Sequence, residues 1–236
     1  MKIAIMQPYI FPYIGYFQLI NAVDKFAIYD DVNYIKQGWI NRNRLLVNGL
    51  SYTFTIPIEN NSSFTTIQKT KIDQKNYEKW KGKFYKTLEL SYKKAPYFED
   101  IIKLVFLTFD SQFEFISELA LKSILNICSY LKIDTTFVKT SSLYNNANLH
   151  SQNRIIDICK KEHATEYINL IGGIELYSKK DFAVDEITLK FLKPKQITYN
   201  QNNFNAIFHE NLSIIDVLMF NSIDETKKIL NEKEFV

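Results

Sequence analysis

The sequence predicts an α/β fold: a mainly parallel, open sheet flanked by helices, with a small antiparallel β insertion. Three observations predict it. Short apolar runs suited to buried strands, such as residues 2–6, 26–29 and 166–170, alternate with stretches whose apolar residues recur at helical spacing. A strand, a helix and a second strand fit into the first 30 or so residues, roughly the size of a βαβ unit. No internal repeat or flexible linker divides the chain, so residues 1–236 read as one α/β domain, and 46% hydrophobic with 15% aromatic content supplies a sizeable core.

The first strand is expected over residues 2–6, where Gln7-Pro8 stops it. Pro12 and Gly15 punctuate the connection, and residues 13–23 carry Ile14, Phe17, Leu19, Ile20 and Val23 as a helical stripe. The second strand, 26–29, ends in Asp30-Asp31. Residues 45–72 read as the β insertion. Residues 45–47 and 51–58 form a hairpin around Asn48-Gly49, which tolerates the positive φ of a tight turn, and 65–72 a third antiparallel strand. Residues 77–132 are a helical segment: Trp80, Phe84, Leu88 and Tyr92 repeat at four-residue spacing, and Pro96 interrupts the pattern. Asp110-Ser111 then splits the dense apolar stretch into two helices, with Ser111 as N-cap of the second. A strand over 135–140 ends in Ser141-Ser142, a helix spans 151–163, and a strand over 166–170 leads into Gly172-Gly173 and a short segment, 174–182. Residues 187–192 are the last strand, and Ser213 with Asp216 opens the apolar stretch 214–220 like a capping box with a carboxylate.

A net charge of +3, from 29 basic and 26 acidic residues, argues against a nucleic-acid partner or an anionic membrane surface. Cys128 and Cys159 lie in apolar helical patterns without CxxC spacing, which points to reduced, inert, buried thiols. Residues 3–6 are too short for a secretory leader, and no apolar run approaches the ~20 residues of a membrane span, so a cytoplasmic location is expected.

Ligands of open α/β sheets bind beyond the carboxyl ends of the strands. Those ends carry Gln7, Asp30-Asp31, Ser141-Ser142, and Asn169 with Gly172-Gly173, and the loop after the second strand adds Lys36, Trp39 and Asn41-Arg42-Asn43-Arg44. In an extended run Arg42 and Arg44 share one face and Asn41 and Asn43 the other. Two guanidinium forks on one face can clamp a diphosphate, or pair with Asp30, Asp31 or Glu59. Trp39 either stacks on a base or sugar ring or enters the core. Gly172-Gly173 either lets an anion or carbonyl oxygen approach the backbone or is a plain turn. Asp31 is the candidate general base, with Asp30 turned the other way because adjacent strand residues point oppositely. His150 is a second candidate base, or else a helix cap, and Gln7 a candidate oxyanion donor. His150, His163 and His209 are too dispersed for a metal site. There is no GxSxG, so direct transfer fits better than a covalent acyl-enzyme.

Several segments together resemble the WbqC-like proteins. They are Gln7-Pro8-Tyr9, Pro12-Tyr13-Ile14-Gly15-Tyr16-Phe17, Val23-Asp24-Lys25-Phe26, Tyr29-Asp30-Asp31-Val32, Tyr34-Ile35-Lys36 and Trp39-Ile40-Asn41-Arg42-Asn43-Arg44. Trp80, Tyr92-Lys93-Lys94-Ala95-Pro96-Tyr97-Phe98, Ile155-Ile156-Asp157-Ile158-Cys159, Tyr167-Ile168-Asn169 with Gly172-Gly173, and Leu212-Ser213-Ile214-Ile215-Asp216-Val217-Leu218 continue the resemblance. Such proteins are typically encoded in bacterial O-antigen and other surface-polysaccharide clusters, which implies modification of an amino sugar. The expectation that follows is a cytoplasmic transferase of lipopolysaccharide assembly, moving an acyl or aminoacyl group to a nucleotide-linked amino sugar. Its donor would be an acyl-CoA, an ATP-activated acid or another activated acyl group. Two alternatives stand beside it. The strand, proline-containing loop and Gly15-Tyr16-Phe17 helix start resemble a nucleotidyltransferase-like topology, but Tyr13 and Gly15-Tyr16 occupy the places of its phosphate-binding histidines. That leaves a nucleotide-binding protein of degenerate fold, or a non-catalytic binding or scaffold protein of the same pathway.

Overall fold

A computed structural model describes residues 1–59, 62–201 and 207–236. The expected βαβ unit opens the chain as β1 (Lys2–Met6), α1 (Ile14–Ile20) and β2 (Lys25–Ile28). A hairpin of β3 (Arg42–Val47) and β4 (Leu50–Thr55) follows, turning at Asn48 and Gly49, whose φ values of 51° and 74° explain the Asn-Gly pair. Three helices come next, α2 (Gln74–Tyr92), α3 (Phe98–Phe109) and α4 (Ile116–Leu131). The rest alternates: β5 (Thr136–Val138), α5 (Ser151–Lys161), β6 (Glu166–Leu170), α6 (Lys179–Val184), β7 (Thr188–Pro194), α7 (Ile214–Phe220), α8 (Ile223–Asn231) and β8 (Lys233–Phe235).

The fold is α/β, with a mostly parallel six-stranded mixed sheet flanked by helices and a separate two-stranded antiparallel sheet, β3–β4. The large sheet runs β5–β2–β1–β6–β7–β8. Its first five strands pair in parallel, and β8 closes the edge antiparallel to β7. Counted in chain order, these strands lie 3-2-1-4-5-6, the doubly wound arrangement whose order reverses between β1 and β6. Side chains alternate across the sheet as the pleat requires. Ala4, Phe26, Ile28, Ile168 and Leu192 enter the larger core, with α1–α4, α7 and α8. Ile3, Ile5, Ala27, Tyr167, Leu189 and Phe191 enter a smaller one, with α5 and α6. Buried Gln18 ties α1 to the end of α8, its Nε2 donating to the carbonyls of Ile229 (2.8 Å) and Glu232 (3.0 Å).

Four expectations need correction. The insertion over 45–72 has no third strand at 65–72. Ile67 and Gln68 donate their backbone N–H groups to the carbonyls of Val32 and Asp30 (2.9 Å each), so 67–69 winds into a 3-10 turn against the loop after β2. The α4 helix starts at Ile116 instead of at Ser111, because the Glu118 carboxylate accepts from Phe115 N (3.0 Å) and Ile116 N bonds to Thr70 O (2.9 Å). Strand β7 is not the last, since β8 pairs with it through Leu192 and Phe235. Ser213 does cap α7, accepting from Ile215 N (3.3 Å), but the Asp216 carboxylate turns inward to the hydroxyls of Tyr92 (2.7 Å) and Tyr199 (2.6 Å). Among the described residues, no helix is long and apolar enough to cross a membrane.

Candidate functional site

Parallel pairing of β5, β2, β1 and β6 puts Ser141, Asp30-Asp31, Gln7 and Asn169 at one edge of the sheet, the carboxyl edge. The switch point between β1 and β6 lies in the middle of that edge. The chemistry there divides into a buried polar network on the β2–β5 side and an open cleft on the side of β1, β6 and β7.

The network centres on Asp31 and Arg154. The Arg154 guanidinium meets the Asp31 carboxylate at 2.5 Å, with the two side chains 4% and 9% exposed. Its Nε donates to Asn146 Oδ1 (3.0 Å), and its plane lies 4.9 Å over the Tyr29 ring. The other Asp31 oxygen accepts the Ser141 hydroxyl in a short hydrogen bond. Both carboxylate oxygens are therefore engaged, one by Arg154 and one by Ser141. Asp30 is buried beside it and accepts from Thr140 Oγ1 (2.8 Å) and Ser141 N (3.1 Å); burial pushes its carboxyl above the ordinary carboxylate range. A shallow polar groove of about 530 Å³, including Asp31, Gln68, Ser142 and Asn146, opens over this network.

The cleft is built by the β1–α1 connection, the loop before β3, and the chain after β7. A slot of about 300 Å³ lies between Tyr9, Pro12, Tyr13, Trp39, Arg44 and Asn211. A cavity of about 830 Å³ shares Tyr13 and Asn211 with it, and reaches Ile171 after β6, Lys193 and Lys195 at the end of β7, and His209. These volumes fall in the range of small-molecule sites. Gly15 leaves room for the Tyr13 ring, which a Cβ at that position would meet at 2.4 Å and push aside. Burial, and then the neighbouring Tyr9, push the Tyr13 phenol up to about 12, so it keeps its proton as a donor. His209 Nε2 stands 3.1 Å from the Gly49 carbonyl. A carbonyl only accepts, so Nε2 is the donor in this contact.

The Asn41–Arg44 run lies partly in β3 with the alternation expected, but two of its four side chains serve the fold. Asn41 is buried, accepting from Tyr34 OH (2.7 Å) and donating to Ile56 O (2.8 Å). Asn43 is buried too, and its amide holds the carbonyls of Ile10 (3.0 Å) and Phe11 (2.7 Å) in the β1–α1 connection. Neither is a free ligand group, although Asn43 shapes the slot's wall. Arg42 and Arg44 do share a face, but they stack on Trp39, with guanidinium carbons 5.3 and 5.4 Å from the indole centroid. Arg42 is tied to the Gly38 (2.9 Å) and Gln37 carbonyls, whereas the Arg44 side chain donates, among the described residues, to Asn211 O (3.1 Å). Among the described residues the two arginines form no ion pair with Asp30, Asp31 or Glu59. Trp39 is 39% exposed and belongs to the slot instead of the core.

The remaining candidates are placed as follows. Lys36 is exposed in the loop after β2. Gln7 follows β1 half-buried, its carbonyl accepting from Tyr16 OH (2.9 Å). Asn169 is buried and accepts from Leu170 N (2.7 Å). Gly172 is exposed, and Gly173 is buried where a Cβ would sit 2.8 Å from the Asn169 amide nitrogen, so the glycine admits that side chain. His150 is exposed at the start of α5 and makes no side-chain cap. Tyr9, Tyr13, Arg154, Lys193, Lys195, His209 and Asn211 are site residues that the sequence reading did not select. A signal existed only for Tyr9 and Tyr13, which stand in the same proline-punctuated loop as Gln7.

No solved structure matches the chain. A curated relative, the uncharacterized protein Rv1507c of Mycobacterium tuberculosis, is 34% identical over 191 residues, covering 80% of this chain and 80% of that protein. Residues 7–228 match the profile of the WbqC-like proteins, a span that takes in the loop after β1, the slot and most of the lining of the larger cavity. The chain belongs to the WbqC-like protein family.

Proposed function

We propose that the chain is a cytoplasmic enzyme of bacterial surface-polysaccharide (O-antigen) assembly that binds a nucleotide-linked amino sugar and transfers an acyl or aminoacyl group to its amine. The observation that carries this reading is the joined slot and cavity at the switch point between β1 and β6, with aromatic walls at one end and Lys193, Lys195 and His209 at the other. In this reading the sugar amine attacks the carbonyl of an activated donor, such as an acyl-CoA or an acid activated by ATP. The amine nitrogen bonds to the acyl carbon, the donor's leaving group departs, and a base takes the proton from nitrogen. Gln7 and the Gly172-Gly173 turn, at the ends of the two strands that flank the switch point, would steady the oxyanion. His209 is the proton acceptor we favour, because it lines the cavity with its Nε2 turned to the Gly49 carbonyl, whereas Asp31 is buried against Arg154. Asp31 and His150 enter as the competing assignments.

A second reading, a nucleotide-binding protein without turnover, is supported by two observations. Burial pushes both cysteine thiols up to about 12, and the most buried carboxylate pair at the edge is already engaged. A thermal-shift screen over nucleotide sugars, acyl-CoA thioesters and ATP tests both readings. A ligand at a hundred times its Kd adds about 2.7 kcal/mol of stability, or roughly 5–10 °C for a chain of this length. Mass spectrometry of an amine acceptor incubated with the donors then separates them: an acylated product supports the transferase, and a shift without product supports the binding protein. Under the first outcome, His209→Gln lowers turnover at least a hundredfold if His209 is the base, while Asp31→Asn and His150→Gln test the alternatives.

A further inference from the structure

The two ends of the cleft differ enough to orient its ligand. Resting on the reading that a nucleotide-linked sugar binds here, we infer that the 300 Å³ slot between Trp39, Tyr9 and Tyr13 takes the nucleobase, and that the carrier phosphates extend into the larger cavity toward Lys193 and Lys195.

The slot suits a flat, polar, uncharged ring. Three aromatic side chains and Pro12 line it, and the guanidinium groups of Arg42 and Arg44 lie over the Trp39 ring, which fixes the indole in place as a stacking platform. Arg42 is itself immobilised by the carbonyls of Gly38 and Gln37, which fixes the platform to its own loop. Arg44 supplies the hydrogen-bonding capacity. Of the five N–H donors of a guanidinium, it gives one to Asn211 O, and its Nε finds no acceptor among the described residues. The Tyr13 phenol, kept protonated by its burial, is a further donor at the mouth between slot and cavity. Ring carbonyls and ring nitrogens of a nucleobase are the acceptors such a set of donors would meet.

The slot is a poor place for the phosphates. Arg44 is its only cation among the described residues, and that charge already leans on the indole. The adjoining cavity has two lysines on one strand end, two residues apart. Each is paired with an exposed carboxylate, Lys193 with Glu234 (3.1 Å) and Lys195 with Glu232 (3.5 Å). All four side chains are more than half exposed, so either lysine can exchange its carboxylate for a phosphate at little cost. Tyr13 and Asn211, common to both spaces, then sit beside the ribose.

The probes are UDP, ADP and inorganic pyrophosphate, titrated by calorimetry and by tryptophan fluorescence into the full chain and its variants. One of the two nucleotides is expected to bind more tightly than pyrophosphate and to quench the indole emission, while pyrophosphate leaves it unchanged. Trp39→Ala should weaken that nucleotide about tenfold to a hundredfold without altering pyrophosphate binding, and Trp39→Phe should restore most of the loss. Lys193→Ala combined with Lys195→Ala should weaken nucleotide and pyrophosphate alike and leave the quenching at saturation intact. Nucleotide binding that Trp39→Ala does not change, or a pyrophosphate affinity that falls with it, overturns the orientation while leaving the nucleotide reading standing. If neither nucleotide binds the parent chain at millimolar concentration, the nucleotide reading itself fails.

Discussion

Replacing Arg154 with Met tests whether the network under β2 and β5 is structural. The substitution keeps an unbranched side chain and removes the guanidinium that meets Asp31 at 2.5 Å and lies over Tyr29. Asp31 would be left 9% exposed, with the Ser141 hydroxyl as its remaining strong donor. Stranding one member of a buried ion pair costs about 3–5 kcal/mol. For a chain of this length that is roughly a 6–20 °C drop in Tm. Asn146 loses its Nε donor as well, but it still donates to Asp157 (2.6 Å), so that part of the loss is small. Urea unfolding at pH 7, followed by circular dichroism, measures the change in midpoint. The double variant Arg154→Met/Asp31→Leu removes both charges, and should lose clearly less than the two single variants added together, with a coupling of about 2–3 kcal/mol. A single variant within about 1 kcal/mol of the parent, or strictly additive singles, would refute the picture of a desolvated pair. Asp31 would then be open enough to return as the favoured base.

Three other perturbations address the cleft and the helix behind it. Gly15→Ala pushes a methyl into the Tyr13 ring, so nucleotide affinity should fall several-fold in a titration while stability stays within about 1 kcal/mol, since alanine suits a helix better than glycine; an unchanged affinity would show that Tyr13 is not a wall of the ligand site. Arg42→Ala should cost about 1 kcal/mol of stability by releasing the Gly38 and Gln37 carbonyls, whereas Arg44→Ala should weaken nucleotide about tenfold with little effect on Tm, and the reverse pattern would exchange their roles. Asp216 is buried, which raises its carboxyl above the ordinary range against the lowering effect of Tyr199, Tyr92 and Gln201. An acid whose folded pKa is raised favours folding most below its unfolded value of ~3.9 and loses that contribution as pH climbs through the folded value. Asp216→Asn should therefore remove a stability term that declines with rising pH in the weakly acidic range. An unaltered pH profile of the urea midpoint would contradict the burial argument.

The parts of the fold legible in the sequence are those where one local rule decides. Periodicity placed β1, α1 and β2, and the Asn48-Gly49 pair placed the hairpin, because strand alternation, helical stripes and a positive-φ turn are properties of a few adjacent residues. The 3-10 turn at 67–69 was misread as strand because its backbone partners, Val32 and Asp30, lie more than 30 residues away. At the edge of the sheet, the positions of Gln7, Asp31 and Trp39 were legible, but what their side chains touch was not. Asn41 and Asn43 look like ligand amides and instead satisfy buried carbonyls of neighbouring loops. Arg154 was hidden inside an apolar helix pattern, and only the tertiary approach of α5 to the end of β2 gives it a partner. Lys193, Lys195 and His209 come from chain without strong periodicity, so nothing local marked them as the other wall of the cleft.

The central position of β1 has a consequence for synthesis. One edge of this strand is covered as soon as β2 emerges, but its other partner, β6, begins about 160 residues later. At roughly 5–20 residues per second, that edge waits on the order of 10–30 s for its partner. During that interval a strand reading Ile3-Ala4-Ile5 offers unpaired backbone groups to any neighbouring chain. Slower translation or higher temperature should thus appear first as lost soluble yield, before any change in the stability of the finished protein.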